Sequence, residues 1–164
     1  MKTVTVDTNV FPIDDLEAEL GPQGFTFHPI SVSQREVAGS SFEATLARYD
    51  AIPEIGVWGE GAWGSSRWVG GDDGDCMGVA LTIVSNGSFP PSGKRDALSD
   101  GQRRQLRDAM IACTHRHDGR DILLSNDRKA FIDDGRREKF HDQLGVTIMT
   151  RAEFCDAYIP SSAP

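Results

Sequence analysis

Four acidic side chains stand beside apolar segments of the sequence, and carboxylates of this kind could do metal chemistry. They are Asp7, Glu36, Asp108 and Asp127. Carboxylates that are forced together repel one another, and their charged forms are costly unless a cation joins them. Oxygen ligands suit Mg²⁺ or Mn²⁺, and a water bound to such an ion becomes a better nucleophile. Acids that a fold brought together in this way would form a divalent-metal site that can activate water.

Two of these acids come directly after predicted β-strands. The β-branched run Thr3–Val6 ends at Asp7, and the apolar run Ile122–Ser125 is followed by Asn126 and Asp127. Ligands of open parallel sheets bind beyond the carboxyl ends of the strands. We therefore expect both acids at the edge of a sheet where a binding site would form.

Helices and strands alternate along the rest of the chain. Phe25–Phe27 and Val146–Met149 are further strand candidates, and residues 76–84 are apolar enough for a buried helix or strand. Capping residues and helical spacing predict helices at 12–20, 33–49, 99–117, 129–144 and 151–158. In the second helix, Ser33 is the expected N-cap and Glu36 lies inside; the fourth has an expected interruption at Gly135. This alternation predicts parallel pairing through right-handed crossovers, and hence an α/β fold.

The segment at about 53–75 has a different composition from the rest of the chain. It is rich in glycine and contains Trp58, Trp63 and Trp68 but few aliphatic residues. Glycine lets the backbone turn, and each Trp can cover a large apolar area. We expect a hairpin or ordered loop inserted into one domain that covers residues 1–164.

The absence of long apolar runs and of a signal segment indicates a cytoplasmic protein. Cys76, Cys113 and Cys155 are odd in number and widely spaced, which argues against a disulfide framework or a CxxC zinc site. Cys113 and Cys155 are expected as buried small hydrophobic residues. No apolar run approaches the ~18 residues of a membrane span, and the N-terminus lacks a signal segment.

The formal net charge of -8 is unevenly distributed along the chain. From Lys94 to Arg151 there are 13 Lys and Arg against 10 Asp and Glu, whereas the remainder has 4 against 15. The basic half therefore contains Asp108 and Asp127. Basic residues of this kind can bind phosphates, although Arg-rich helix faces are usually only solvated.

Four segments, in this order along the chain, resemble motifs of PIN domains. They are Val4–Phe11 with its Asp-Thr-Asn, Ser33–Val37 around Glu36, Arg107–Cys113 with Asp108 near its start, and Leu123–Phe131. In the last segment, Ser125-Asn126-Asp127 stands where the family more commonly has Thr-x-Asp. The resemblance covers most of the chain, but not residues 50–75. It implies a three-layer fold with a central, mostly parallel twisted sheet of four or five strands flanked by helices. It also implies Mg²⁺- or Mn²⁺-dependent hydrolysis of RNA phosphodiester bonds.

The resemblance implies a role for each residue of the site. Asp7, Asp108 and Asp127 would be metal ligands, and Glu36 would hold a metal-bound water or help to deprotonate it. Asn9 would orient Asp7 or contact substrate, and Ser125 would keep a hydroxyl near the site. RNA phosphates would contact basic side chains beside the acids, namely Arg104, Arg107, Arg128 and Lys129. The competing interpretation of the acids is structural, as helix or turn caps and as exposed surface residues.

Other classes of protein that place acids at strand ends fit less well. A haloacid-dehalogenase-like phosphatase needs an Asp where this chain has Asn9, a receiver domain needs paired acids early in the chain, and no P-loop occurs. The main alternative is a PIN-like module that binds protein or RNA with weak cleavage or none. Many short PIN proteins are toxins that pair with an antitoxin, and homodimers are common in the family. This chain is longer than the compact toxins.

Overall fold

Four parallel strands form the centre of the fold. The computed structural model describes residues 1–56 and 72–159, and its strands are β1 (Lys2–Val6), β2 (Phe25–His28), β3 (Ile122–Leu124) and β4 (Ile148–Met149). They lie in the order β2-β1-β3-β4, and every neighbouring pair is parallel. The predicted α/β class with a parallel sheet is confirmed.

Helices connect the strands and cover both faces of the sheet. In the described part of the chain they are α1 (Asp14–Leu20), α2 (Ser31–Glu36), α3 (Glu43–Leu46), α4 (Asp72–Ser85), α5 (Asp100–His117), α6 (Arg128–Phe131), α7 (Arg136–Leu144) and α8 (Arg151–Tyr158). None of the helices described here is long and apolar enough to cross a membrane.

Two apolar clusters on opposite faces of the sheet give the molecule three layers. Successive side chains of a strand point to opposite faces. Ile122 and Leu124 pack into one cluster with residues of α1 and α8, whereas Leu123 packs into the other with residues of α4, α5 and α7. Fully burying a Leu or Ile side chain stabilises a fold by about 1.5–3 kcal/mol. The predicted three-layer arrangement follows from this alternation.

Helix α5, which carries Asp108, begins where the sequence predicts. The Ser99 hydroxyl accepts a hydrogen bond from the Gln102 backbone nitrogen at 3.2 Å, and the Gln102 side chain accepts one from the Ser99 nitrogen at 2.9 Å. This capping box satisfies two backbone donors that a helix start leaves without partners. It also fixes the start of the helix, and so helps to fix the position of Asp108 two turns later.

The predicted continuous helix at 33–49 is wrong. Helix α2 already begins at Ser31, and Ser33 lies inside it instead of capping it. The helix ends at Glu36, and the chain then turns through Gly39, whose φ of 78° is strained for residues with a side chain. Apolar residues at helical spacing beyond this turn belong to the separate helix α3, where Leu46 is buried.

The prediction that no disulfide forms is also wrong. Cys76 of α4 and Cys113 of α5 are bonded, with their Cα atoms 5.9 Å apart and a separation of 37 positions in sequence. The extensive packing of α4 against α5 brings the two cysteines together, and spacing in the sequence does not show this. Cys113 is buried as predicted, but Cys155 is a free cysteine that is only half-buried.

The predicted helix at 129–144 is interrupted at the expected glycine. Asp134 and Gly135 have positive φ angles of 58° and 71°, and a 3-10 turn separates α6 from α7.

Most of the predicted Gly/Trp-rich insertion at about 53–75 lies within residues 57–71, outside the described residues. These residues include all three tryptophans.

Candidate functional site

Asp7 lies at the carboxyl end of β1, next to the end of β3. Its backbone nitrogen donates to the Leu124 carbonyl oxygen at 2.9 Å, which extends the parallel pairing of the two strands. The side chain is only 6% exposed, and its oxygens accept hydrogen bonds from the Thr8 backbone nitrogen at 2.7 Å and the Ser125 hydroxyl at 2.6 Å. The sheet and these two bonds therefore fix the Asp7 carboxylate.

Asn9 and Asn126 connect the loops that follow β1 and β3. The Asn9 amide donates to Asp7 Oδ2 at 2.8 Å, and its Oδ1 accepts from the Asn126 backbone nitrogen at 2.8 Å. Asn126 in turn accepts a hydrogen bond from the Arg151 backbone nitrogen at 3.1 Å. Asn9 is therefore placed to orient Asp7, which is one of the two roles expected for it.

Asp127 and Ser125 occupy the loop between β3 and α6. The Ser125 hydroxyl is buried, and besides donating to Asp7 it accepts from the Asp127 backbone nitrogen at 3.1 Å. The Asp127 carboxylate accepts from the Ala130 backbone nitrogen at 2.8 Å, so it caps α6. One oxygen of Asp127 thus has a structural role, and its second oxygen can bind a ligand. The cap weighed from the sequence concerned Asp7, whose side chain accepts from the Thr8 nitrogen at the start of the 3-10 turn Thr8–Val10.

The charges of the other three acids act on the pKa of Asp108. Burial raises the pKa of Asp108 well above its usual value, and the nearby charges of Asp7, Asp127 and Glu36 raise that pKa further. The positive charge of Arg104 acts in the opposite direction. Four segments that are distant in sequence therefore bring four carboxylates into one electrostatically coupled group, which we call the acid cluster.

Asp7 is coupled to the same group. Burial raises its pKa, the hydrogen bonds from Ser125 and Thr8 lower it, and the charge of Asp127 raises it again. Acids with raised pKa values are common at functional sites, where burial and like charges disfavour ionisation.

Glu36 reaches the acid cluster from the last residue of α2. Its carboxylate lies 3.6 Å from the Arg107 guanidinium, and 28% of its side chain is exposed. Burial and the charge of Asp7 raise the pKa of Glu36, while Arg107 lowers it. Its neighbour Arg35 pairs with the buried Glu54, and this pair holds the end of the helix against the loop at 53–55.

The four basic residues expected to contact RNA have different surroundings. Arg107 pairs with Glu36, and Arg128 pairs with Asp133 at 2.7 Å. Arg104 and Lys129 are exposed and line a cavity beside the acid cluster. Two of these basic residues therefore pair with acids, whereas the other two are exposed to solvent.

The acid cluster offers the type of donor atom that a hard divalent cation binds. All four side chains offer carboxylate oxygens, and a cation would relieve the repulsion that raises the pKa of Asp108. Among residues 1–56 and 72–159, no three side chains of His, Cys, Asp or Glu lie close enough as they stand to hold a metal ion. Mg²⁺ usually contacts one or two carboxylates and keeps several waters, so the fit does not require three direct ligands.

Sequence reasoning missed two residues that support the site, Asn126 and Arg151. Asn126 joins the loop of Asn9 to the start of α8 through both its backbone and its side chain. The Arg151 guanidinium donates to the Val10 carbonyl at 2.8 Å and to both oxygens of Asp15 at 2.6 Å. The position of Asn126 between Ser125 and Asp127 was a usable signal, whereas nothing near Arg151 in sequence indicates its partners.

No family model matches this chain, and neither a curated protein nor a solved structure matches it.

Proposed function

We propose that this chain is a PIN-type ribonuclease that uses Mg²⁺ or Mn²⁺ to hydrolyse RNA phosphodiester bonds at the acid cluster. The observation that carries the proposal is the coupling of Asp108 to three acids that come from other segments of the chain. The order of the motifs along the sequence and the position of Asp7 at the carboxyl end of a parallel strand support it.

Each acid has a role that follows from its surroundings. Asp7 and Asp127 are held by short hydrogen bonds, so they are suited to fix the position of an ion. The charges of the other three acids all raise the pKa of Asp108, so its charge most needs compensation, and we assign it as a further ligand. When bound, the ion would lower the pKa of a water and stabilise charge on the phosphate.

Glu36 is suited to handle the proton of the attacking water. Burial and the charge of Asp7 raise its pKa, which makes the carboxylate a stronger base. Its partly exposed position next to Arg107 lets it meet a water that enters from solvent. No covalent intermediate with the protein is required, because the water attacks phosphorus directly.

The biological setting extends the same proposal. A cytoplasmic ribonuclease of this type could be the toxin of a toxin-antitoxin pair, bound by an antitoxin protein, and it could act as a homodimer. The resemblance in sequence is the support for these roles. Co-purification with the product of a neighbouring gene for a small DNA-binding protein would test the toxin role.

Cleavage of end-labelled RNA tests the activity. The parent protein should cut RNA in Mg²⁺ or Mn²⁺ and stop when EDTA is added. Asp7→Asn and Asp127→Asn should each lower the rate by about a hundredfold or more, because each removes a proposed ligand of the ion. Asp142→Asn, at an exposed position on α7, is the matched control and should cut at the parent rate. Parent-like cleavage by either site variant would remove that residue from the mechanism.

A further inference from the structure

A cavity opens beside the acid cluster, and its wall carries both signs of charge. Its volume is about 210 Å³, and its lining includes Val84, Arg104, Gln105, Asp108, Asp127 and Lys129. At about 30 Å³ per water molecule in the liquid, this space equals roughly seven waters. A phosphate group, together with part of its ribose, would fit into a space of this size.

The two cations of this wall come from different elements. Arg104 is on α5, one turn before Asp108, and Lys129 is in the first turn of α6, two residues after Asp127. Both are exposed, whereas Asp108 and Asp127 are half-buried. Both positive charges are therefore open to an anion from solvent, whereas the two acids are partly covered.

The neighbouring basic residues are less suited to this role. Arg107 pairs with Glu36, and Arg128 forms an ion pair with Asp133 at 2.7 Å. Contacts between basic side chains and phosphates supply affinity that does not depend on base sequence. Among these basic residues, Arg104 and Lys129 are therefore the better placed to bind a phosphate.

We propose that this cavity is an anion subsite, in which Arg104 and Lys129 bind a phosphate of the RNA next to the phosphate that is cleaved. The proposal rests on the proposed function, because the acid cluster defines where the cleaved bond lies. A phosphate bound between the two cations places the adjacent phosphodiester beside Asp108 and Asp127. The subsite would thereby set the position of the strand without reading its bases.

Binding of a fluorescently labelled single-stranded RNA, followed by anisotropy in EDTA, tests the subsite separately from cleavage. Arg104→Gln and Lys129→Gln should each weaken binding by about three- to tenfold, and each should reduce the salt dependence of log K by about 0.7 for one lost phosphate contact. Competition by inorganic phosphate or UMP should weaken in the same variants.

Two charge-matched controls make the result specific. Arg116→Gln lies on the same helix as Arg104, twelve residues and about 18 Å further along, and Lys139→Gln is an exposed change on α7. Both should bind RNA as the parent does. Equal effects of the control and test variants, or no RNA binding by the parent protein, would overturn the subsite.

The two proposals fail in different ways. If the variants lose binding selectively while no condition gives metal-dependent cleavage, the anion subsite stands and the ribonuclease proposal fails. If the parent cleaves RNA and the Arg104 and Lys129 variants bind like their controls, the ribonuclease stands and the subsite is wrong.

Discussion

At the scale of single residues, the raised pKa of Asp108 makes its charge a cost to folding. Burial and the charges of Asp7, Asp127 and Glu36 all favour the neutral form of Asp108 in the folded protein. In the unfolded chain the group ionises near pH 3.8. Above that pH the folded state holds a proton that the unfolded state has lost, so stability falls as pH rises through the folded pKa.

Asp108→Asn should therefore stabilise the protein at neutral pH when divalent ions are absent. The amide carries no charge, so the unfolding temperature of the variant relative to that of the parent should increase as pH rises above about 4. Thermal unfolding in EDTA across this pH range is the measurement. Asp156→Asn, an exposed change on α8, is the control. A variant whose pH profile matches that of the control would show that Asp108 is not coupled to the other acids.

The residue types of the site could be predicted, but their partners could not. Strand ends and motif order indicate Asp7 and Asp127, because the chain direction of a parallel sheet places such residues at one edge. The hydrogen bonds that hold these acids come from residues far away in sequence, such as the one from Ser125 to Asp7 across 118 positions. Only the folded arrangement shows these contacts.

At the scale of elements, α5 is joined to β1 by a buried polar contact. His115 Nδ1 lies 2.9 Å from the Thr5 hydroxyl, which also accepts a hydrogen bond from Arg120 Nε at 3.0 Å. Burial and the charge of Arg120 lower the pKa of His115 to about 4, although Asp121 and Asp118 raise it. The helix that carries Asp108 is thus anchored to the strand that leads to Asp7 by a histidine that stays neutral.

This histidine should make the protein sensitive to mild acid. The folded pKa lies below the ordinary value of 6.5, so the unfolded chain takes up the proton first, and stability is lost as pH falls from about 6.5 to about 4. The loss is about 3 kcal/mol at the lower end, since one pKa unit corresponds to about 1.4 kcal/mol.

Denaturant unfolding at several pH values checks the effect of His115. His115→Leu should flatten the dependence of unfolding free energy on pH between 4 and 6.5. His117→Leu, two residues later at an exposed position, should keep it. If the leucine variant at 115 retains the full dependence, another group accounts for the acid sensitivity.

Most elements follow from local patterns, and the exceptions have tertiary causes. The capping box at Ser99 and the turn at Gly135 are local signals, and both predictions are confirmed. The end of α2 at Glu36 was not predicted, because apolar residues at helical spacing continue beyond it into α3. The backbone turn at Gly39, with its positive φ, separates the two helices.

At the scale of the whole molecule, the disulfide links the two longest helices of the described chain. Cys76 and Cys113 join α4 to α5 within the apolar cluster that supports Asp108 from one face of the sheet. The fold class could be predicted from the alternation of strands and helices. The disulfide could not, since it depends on how two helices that are separated by a long loop pack together.

The disulfide should stabilise the protein by an amount that increases with the logarithm of its loop length. For a separation of 37 residues, the loop-closure relation gives about 4 kcal/mol. Cys76→Ala, Cys113→Ala and the double variant should all lose about this amount in denaturant unfolding under oxidising conditions. Cys155→Ala is the control.

Counting thiols provides an independent check on the same bond. Alkylation of the unfolded, unreduced protein should modify one of the three cysteines, Cys155. Alkylation of all three, with additive effects of the two alanine variants, would show that the bond is absent.

Anomalous diffraction from crystals soaked in Mn²⁺ shows whether the acid cluster holds a divalent cation. We expect a peak about 2.1 Å from carboxylate oxygens of Asp7 and of at least one of Asp108 and Asp127. The peak should disappear in crystals of Asp7→Asn. Crystals that show Mn²⁺ only elsewhere on the molecule, or no Mn²⁺ at all at millimolar concentration, would contradict the account.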